Sequence, residues 1–234
     1  MDTNIISGLQ KLTLLDYPGK VACTLFTKGC NMRCPFCHNA ALVTRASEQP
    51  LYSNDEILSF LKKRVGILDG VCITGGEPTL MKGLDEFIAE IKKLGYCVKL
   101  DTNGTRPEVL KSLIEQKLVD YVAMDIKNSP EKYGETIGLG ADFDITPIMK
   151  SVSILMENDV DFEFRTTVAD PLHTSEDIQK IGEWLRGEEN FYLQQFKDSG
   201  DIIGSGIRAY DKDQMTNYVN ILKRFVPNAQ LRGM

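Results

Sequence analysis

The hydrophobic positions of the chain follow two alternating periods. Short runs rich in β-branched and aromatic residues predict strands at 21–27, 71–73, 97–100, 121–124, 162–168 and 191–193. Between them, apolar residues recur at intervals of three and four, and they predict helices at 54–64, 84–94, 107–116, 147–157, 174–185 and about 211–226. Ser53 is the expected N-cap of the first helix, and Gly95 is the expected C-cap of the second. The pattern therefore predicts six strand–helix units.

This alternation predicts an α/β chain in which a parallel sheet is covered by outer helices. Eight such units close a full barrel in about 250 residues. Six units in 234 residues predict either an open, three-quarter barrel or a doubly wound sheet. In both folds the chemistry gathers at the C-terminal ends of the strands. We expect one domain over residues 1–234, with a short segment, 1–20, before the first strand.

Composition and charge exclude several classes of protein. The apolar share of 42% and the charged share of 26% are ordinary for a soluble globular chain. The formal net charge of −6 argues against a general nucleic-acid binder. No segment approaches the roughly 20 apolar residues that cross a bilayer, and residues 1–4 lack the basic start of a secretory signal. We therefore expect a cytoplasmic protein with neither a nucleic acid nor a membrane as partner.

Three of the six cysteines lie within eight residues, after the first predicted strand. Cys30, Cys34 and Cys37 have the spacing C-x3-C-x2-C, and His38 follows them. In a cytoplasmic chain, clustered thiols indicate metal or redox chemistry rather than disulfides. Four interpretations compete: a c-type haem site at Cys34, Cys37 and His38; a dithiol redox site; a zinc site; and a four-iron cluster with one iron that has no protein ligand. The last uses all three thiols and explains the missing fourth.

The other three cysteines have a simpler interpretation. Cys23, Cys72 and Cys97 each lie in or beside an apolar strand run, where a buried cysteine acts as a small hydrophobe. The chain has no further cysteine-rich stretch. We therefore expect one cluster at most.

Polar residues follow the second and third predicted strands. Gly75, Gly76 and Glu77 follow the second, where glycines would let a ligand approach the backbone and the carboxylate could pair with an ammonium group. Asp101 and Asn103 follow the third. An ordinary turn could explain each group taken alone.

Charged residues continue this pattern on the next strands. Asp125 and Lys127 follow the fourth strand, two residues apart on one face. Arg165 lies in the fifth strand and, if it faces inward, needs an anion, either a substrate carboxylate or an internal salt bridge to Glu163 or a neighbouring strand. The segment 200–206 has no phosphate-loop spacing and is expected to be a flexible loop.

The cysteine spacing is the hallmark of radical S-adenosylmethionine (radical SAM) enzymes. The longer string from 15–20 through 37–39 closely resembles the glycyl-radical-enzyme activating enzymes. Within these it looks most like the activating proteins of anaerobic ribonucleoside-triphosphate reductase, and it is similar to pyruvate formate-lyase activating enzyme. The resemblance extends from about residue 10 to residue 200.

The resemblance implies an open (β/α)6 partial TIM barrel with one [4Fe–4S] cluster on Cys30, Cys34 and Cys37. It also implies that S-adenosylmethionine is cleaved to a 5′-deoxyadenosyl radical, which removes a hydrogen atom from a glycine of a partner enzyme. Flavodoxin or ferredoxin would supply the electron. The residues expected to bind S-adenosylmethionine are His38, Gly75, Gly76, Glu77, Asp101, Asn103, Lys127, Arg165 and Gln195.

Two further roles follow from the same resemblance. Asp101 and Asp125 would help to hold a monovalent cation, and Asp16 would lie near the glycyl loop of the partner. The alternative within the superfamily is an enzyme that acts on a small molecule, similar to the deazaguanine synthases. Since the chain has no added domain to enclose a small substrate, a protein loop is the favoured substrate.

Overall fold

The computed structural model of the protein describes residues 5–188, 190–198 and 200–233. Residues 1–4, on which the prediction of no secretory signal rests, lie outside the described residues. No helix in the described ranges is long and apolar enough to cross a membrane.

One twisted sheet of eight strands runs through the described chain in sequence order. The first strand is antiparallel to the second, and every later pair is parallel. The strands are β1 (Ile6–Thr13), β2 (Ala22–Thr27), β3 (Gly70–Gly75), β4 (Cys97–Thr102), β5 (Tyr121–Asp125), β6 (Asp161–Val168), β7 (Phe191–Gln195) and β8 (Gln230–Arg232). Since β1 and β8 are the two edges, the barrel is open, as the alternation predicted.

The helices connect these strands and cover one face of the sheet. They are α1 (Ala40–Thr44), α2 (Asn54–Lys62), α3 (Leu84–Lys93), α4 (Pro107–Glu115), α5 (Tyr133–Thr136), α6 (Thr146–Met156), α7 (Ser175–Trp184) and α8 (Lys212–Leu222). Ser53 caps α2 in a full capping box, as predicted. Gly95 takes a left-handed φ of 89°, and its N–H donates to Lys92 after α3. The six predicted helices and six predicted strands are all present within a few residues of their expected ends.

The two faces of the sheet have opposite character because side chains alternate along a strand. Leu25, Ile73, Leu100 and Phe164 are fully buried in the apolar core with the helices. Their neighbours on the other face are polar and point into the open barrel, for example Lys99. This interior is where the charged residues of the strands meet.

The sequence did not predict the two edge strands. β1 lies in the segment 1–20, which was expected only to precede the first strand. Its residues 10–12 are exposed. Along β1, apolar and polar residues occur on both faces, so the sequence shows no period of two. β8 has three residues, fewer than a periodic pattern requires.

An ion pair inside the barrel fixes the last strand. Glu163, 1% exposed, accepts hydrogen bonds from both terminal nitrogens of Arg232 at 2.7 and 2.9 Å and from the Tyr121 hydroxyl at 3.0 Å. The Arg232 guanidinium also lies 3.7 Å from the Tyr192 ring centroid. β8 is therefore bound to the sheet by a buried charge as well as by its backbone.

We expect Arg232→Met to lower the free energy of unfolding by about 1–3 kcal/mol, because it leaves the Glu163 carboxylate buried without its cation. Urea unfolding followed by circular dichroism measures the change. The matched control is Lys111→Met, which removes an exposed ion pair with Glu115 and should change stability by less than about 0.5 kcal/mol. Equal stabilities of the Arg232 and Lys111 variants would contradict this account.

Candidate functional site

A cavity of about 900 Å³, the open space at its mouth included, lies at the C-terminal ends of the strands. It collects most of the residues that the sequence marked out. Those that line it are Cys30, Cys34, Cys37, His38, Gly75, Gly76, Glu77, Asp101, Asn103, Asp125, Lys127 and Arg165. Asp16 and Gln195 do not line it. Phe36, Thr102, Thr167 and Gln194, which the sequence did not assign to the site, do.

The three clustered thiols share this cavity on the loop after β2. Cys34 is 7% exposed, and Cys30 and Cys37 are half-buried. Burial raises the pKa of all three thiols, that of Cys34 to about 12. A free thiolate is therefore costly here, and the thiols suit a bound cation that compensates the charge.

Two other segments hold the cysteine loop in place. The N–H of Arg33 donates to the carbonyl of Ile137 at 2.8 Å, and the N–H of Gly204 donates to the carbonyl of Pro35 at 2.8 Å. A side chain at Gly204 would collide with Pro35. The segment 200–206 was expected to be a flexible loop, but its described residues include this contact, and they pack on the cysteine loop.

The two glycines after β3 allow that strand end to approach the cysteine loop. A Cβ atom at Gly76 would lie 1.9 Å from the carbonyl oxygen of Gly29. Gly75 has a φ of 116°, which favours glycine. Asn39 donates to the carbonyl of Gly75 at 2.9 Å, and the N–H of Glu77 donates to Gly29 at 2.9 Å. Glycine is therefore required at both positions for backbone contact.

Glu77 is a buried carboxylate held by neutral donors. It is 1% exposed and accepts hydrogen bonds from the Thr79 N–H and hydroxyl, from the Thr102 hydroxyl at 2.7 Å and from the Asn103 N–H at 2.7 Å. Burial raises its pKa, against the effect of these donors. No described residue forms a salt bridge with it. Its negative charge thus lacks a cation from the described part of the protein.

The acids on β4 and β5 are, in contrast, paired. Arg165 donates through Nε to Asp125 at 3.0 Å and through a terminal nitrogen to Asp101 at 3.2 Å. Lys99 binds Asp101, and the Lys127 ammonium lies 2.9 Å from Asp125. Burial alone would raise the pKa of Asp125, but Arg165 and Lys127 lower it to about 2. The same pairing raises the pKa of Lys127, which burial alone would lower.

This network surrounds Asp101 and Asp125, where the monovalent cation stays a prediction. The positive charge that the two acids share is the Arg165 guanidinium, because β6 pairs with β5 in a register that sets Arg165 opposite Asp125. Arg165 therefore forms the internal salt bridge to neighbouring strands that was its alternative interpretation. Its partners are Asp101 and Asp125, while Glu163 binds Arg232.

Gln195 and Asp16 both lie outside the cavity, and this departs from the prediction only for Gln195. Gln195 lies on the same face as the core residue Leu193, and its amide donates to the Tyr210 carbonyl at 2.7 Å. Its neighbour Gln194 lines the cavity, and strict strand alternation would have identified it. Asp16 is half-buried against β2, where its carboxylate accepts from the Thr24 hydroxyl at 2.5 Å.

The structure shows contacts or burial for three further residues that the sequence singled out. Asn103 donates to Asn31 at 2.9 Å and accepts from Thr105, so its side chain fixes the loop beside the cysteines. The His38 ring stacks on Phe196, with ring centroids 5.3 Å apart. Cys23 is buried in the core.

Cys97 and Cys72 each depart from the prediction that they are buried hydrophobes. Cys97 is half-buried. Cys72 is buried but faces the polar interior, 3.9 Å from both Lys99 and Asp101.

The donor set of the cavity fits a cubane iron–sulfur cluster. Three thiols line it, and such a cluster takes one thiolate on each liganded iron, which leaves one iron for a small ligand. Among the described residues, no group of three or more His, Cys, Asp or Glu side chains is arranged around a single metal ion. The fit to a cluster therefore rests on the three thiols that line the cavity.

Comparisons with known proteins match this arrangement. A model of the Radical SAM superfamily matches residues 24–185. A protein of Methanocaldococcus jannaschii named "Putative glycyl-radical enzyme activating enzyme MJ1227" is 34% identical over 236 residues, covering 97% of this chain and 95% of that protein. The pyruvate formate-lyase-activating enzyme of Staphylococcus aureus (strain USA300) is 30% identical over 133 residues, 53% of each chain.

A solved structure shares the fold. Streptococcus suis SuiB bound to S-adenosylmethionine superposes with a TM-score of 0.66 and 16% sequence identity. The match covers 88% of this chain and 48% of SuiB. At this identity the likeness is one of fold.

We expect Gly76→Ala to destabilise the protein by about 1–3 kcal/mol, because the added methyl group would collide with the Gly29 backbone. Urea unfolding of both proteins measures the change. The control is Gly8→Ala, where the added Cβ would approach the Phe26 side chain no closer than 3.2 Å. A Gly76 variant as stable as the Gly8 variant would show that the two loops are not in close backbone contact.

Proposed function

Since this chain belongs to the radical SAM superfamily, we propose that it installs a glycyl radical on a partner enzyme, with anaerobic ribonucleotide reductase as the first candidate. The observation that carries the proposal is one cavity that combines three thiols with a buried carboxylate lacking a cation. Membership of the superfamily favours the four-iron interpretation of the cysteine loop over the haem, dithiol and zinc alternatives. The relative that matches 97% of the chain supports an activating enzyme.

Cys30, Cys34 and Cys37 would hold a [4Fe–4S] cluster. When bound, the cluster supplies the electron that cleaves S-adenosylmethionine to methionine and a 5′-deoxyadenosyl radical, which takes a hydrogen atom from the partner's glycine. The protein holds the cofactors and excludes competing reactions. The contacts of Arg33 and Gly204 keep the thiol loop fixed from two sides.

Glu77 would bind the ammonium group of the methionine moiety. Its carboxylate is buried, is oriented by three neighbouring residues and has no cation among the described side chains. An ammonium ligand would compensate this charge in a dry site. Gly75 and Gly76 leave room for the ligand to approach the backbone beside it.

Lys127 would bind the carboxylate of the same moiety. Its ammonium lines the cavity, and Asp125 keeps it charged and oriented. Arg165 supports it through Asp125. His38 and Gln194 also line the cavity and would contact the adenine ring, and Asn103, which lines it too, would contact the ribose.

The electron would come from a flavodoxin or a ferredoxin. Arg33 and Arg45 are exposed near the cysteine loop, and Arg33 donates to the carbonyls of Cys30 and Met32. Arg45 pairs with Asp201 at 2.9 Å, so Arg33 is the cation that an acidic one-electron carrier docking close to the cluster would meet.

The partner's glycine loop would enter the barrel through the gap between β1 and β8. Asp16 lies half-buried on the inner side of β2, bonded to Thr24. It lies outside the cofactor cavity, where it would meet the entering loop. This is the role that the sequence predicted for it.

We expect anaerobically reconstituted protein to bind about four irons, because three thiolates suit a cubane cluster. Cys30→Ala, Cys34→Ala and Cys37→Ala should each prevent its assembly. Iron analysis and the visible absorption of the cluster measure this. The controls Cys23→Ala, Cys72→Ala and Cys97→Ala, outside the cavity, should retain the cluster. An intact cluster in the Cys34 variant would contradict the assignment.

The activity itself is tested by electron paramagnetic resonance. Protein, reductant, S-adenosylmethionine and an anaerobic ribonucleotide reductase from the same organism should give a doublet that loses its main splitting when the partner carries α-deuterated glycine. Asp16→Asn should slow this signal by about tenfold, the loss of one charge-assisted hydrogen bond, with unchanged iron content and S-adenosylmethionine affinity.

The control for Asp16 is Asp144→Asn, an exposed acid outside the cofactor cavity whose carboxylate accepts from the Thr146 N–H at the start of α6. It should leave the rate unchanged. If no glycyl-radical enzyme gains a signal while a small molecule exchanges hydrogen with 5′-deoxyadenosine, the small-molecule alternative replaces this proposal.

A further inference from the structure

His173 lies behind the cavity and has no role in the account above. It is one of two histidines in the chain, is fully buried, and follows β6 in the turn that leads to α7. No sequence motif selects it, because it lies outside every strand-end motif. Two of its contacts, with Lys127 and Phe36, lead to the cofactor site.

Both ring nitrogens of His173 bind backbone groups. Nε2 lies 2.8 Å from the carbonyl oxygen of Lys127, and Nδ1 accepts from the Ala169 N–H at 3.2 Å. A carbonyl can only accept, so Nε2 carries the proton and Nδ1 is free to accept. Burial lowers the pKa of His173, which keeps the ring in this neutral form.

The turn holds the Lys127 segment at a second point. The Asn128 side chain donates to the carbonyl of Leu172 at 3.0 Å, next to the His173 contact. The backbone of residues 127 and 128 is therefore bound twice to residues 172 and 173. This fixes the base of the Lys127 side chain, while Asp125 fixes its ammonium end.

The same ring contacts the cysteine loop. Its edge packs on Phe36, with ring centroids 6.0 Å apart and nearly perpendicular. Phe36 lies between Cys34 and Cys37, and the Lys127 ammonium lies 6.0 Å from the Phe36 centroid. One buried imidazole therefore contacts both the loop that carries the thiols and the strand end that carries the lysine.

The turn is itself rigidly supported. The carbonyl oxygen of His173 accepts hydrogen bonds from the hydroxyls of Tyr210 at 2.6 Å and Tyr218 at 2.9 Å. Tyr218 belongs to α8, so the position of the imidazole depends on the outer helices and not on the ligand.

We propose that His173 is a positioning residue that sets the Lys127 side chain relative to the cysteine loop for binding the carboxylate of S-adenosylmethionine. The inference rests on the ligand-binding role proposed for Lys127. It goes beyond that role because it names the group that holds the lysine through its backbone.

The test compares S-adenosylmethionine affinity in reconstituted protein of equal iron content. His173→Asn keeps an acceptor near Ala169 but cannot reach Lys127, and it should weaken binding by about tenfold. His173→Gln places its amide nitrogen near the position of Nε2, and it should restore affinity to within about threefold of the parent. Tyr218→Phe removes one of the two hydroxyl bonds to the turn and leaves that of Tyr210 in place, so it should change affinity by less than about twofold.

A double variant identifies the route of the effect. If His173 acts through Lys127, adding His173→Asn to Lys127→Met should weaken binding no further than Lys127→Met alone. The change that S-adenosylmethionine causes in the paramagnetic spectrum of the reduced cluster should be altered in His173→Asn and restored in His173→Gln.

The outcomes separate the two proposals. If Lys127→Met leaves affinity unchanged, the role proposed for Lys127 is wrong, and this inference falls with it. If Lys127→Met weakens binding but His173→Asn does not, the Lys127 role stands and the inference is overturned. Equal losses in His173→Asn, His173→Gln and Tyr218→Phe would also overturn it, because they would show a general effect on stability.

Discussion

The Arg165 guanidinium, shared by Asp101 and Asp125, is the interaction on which the site depends. It joins the ends of β4, β5 and β6 inside an open barrel, where three buried charges would otherwise be unstable. The bridge leaves Asp125 ionised beside Lys127, so the ammonium points into the cavity as a charged group.

Glu77 differs from Asp101 and Asp125 in the kind of group that binds its carboxylate. Asp101 and Asp125 each contact two cationic groups, whereas Glu77 is bound by hydroxyls and N–H groups and by no cation of the described chain. A buried acid without a counter-charge is costly unless a ligand supplies one. The cavity therefore holds a carboxylate without a described cationic partner at Glu77 and an ammonium group paired with Asp125 at Lys127.

Much of this could be predicted from the sequence, because parallel strands bring their C-terminal ends to one place. The cysteine loop, Glu77 and Lys127 were found in this way. What could not be predicted depends on register and on long-range contacts. The salt bridge between Arg165 and Asp125 depends on the pairing of β5 and β6. The hydrogen bond between Gly204 and Pro35 joins two residues that are far apart in the sequence. The sequence predicts Gln195 instead of Gln194, because in so short a strand it is easy to assign a side chain to the wrong face of the sheet.

The central claim is that three thiols leave one iron open, next to a carboxylate that orients the ligand's ammonium group. Electron–nuclear double resonance on the reduced, reconstituted protein with S-adenosylmethionine labelled with nitrogen-15 at its amine tests this directly. The account predicts a hyperfine coupling between the amine nitrogen and the cluster. A cluster whose spectrum shows no such coupling, and does not change when S-adenosylmethionine is added, would contradict it.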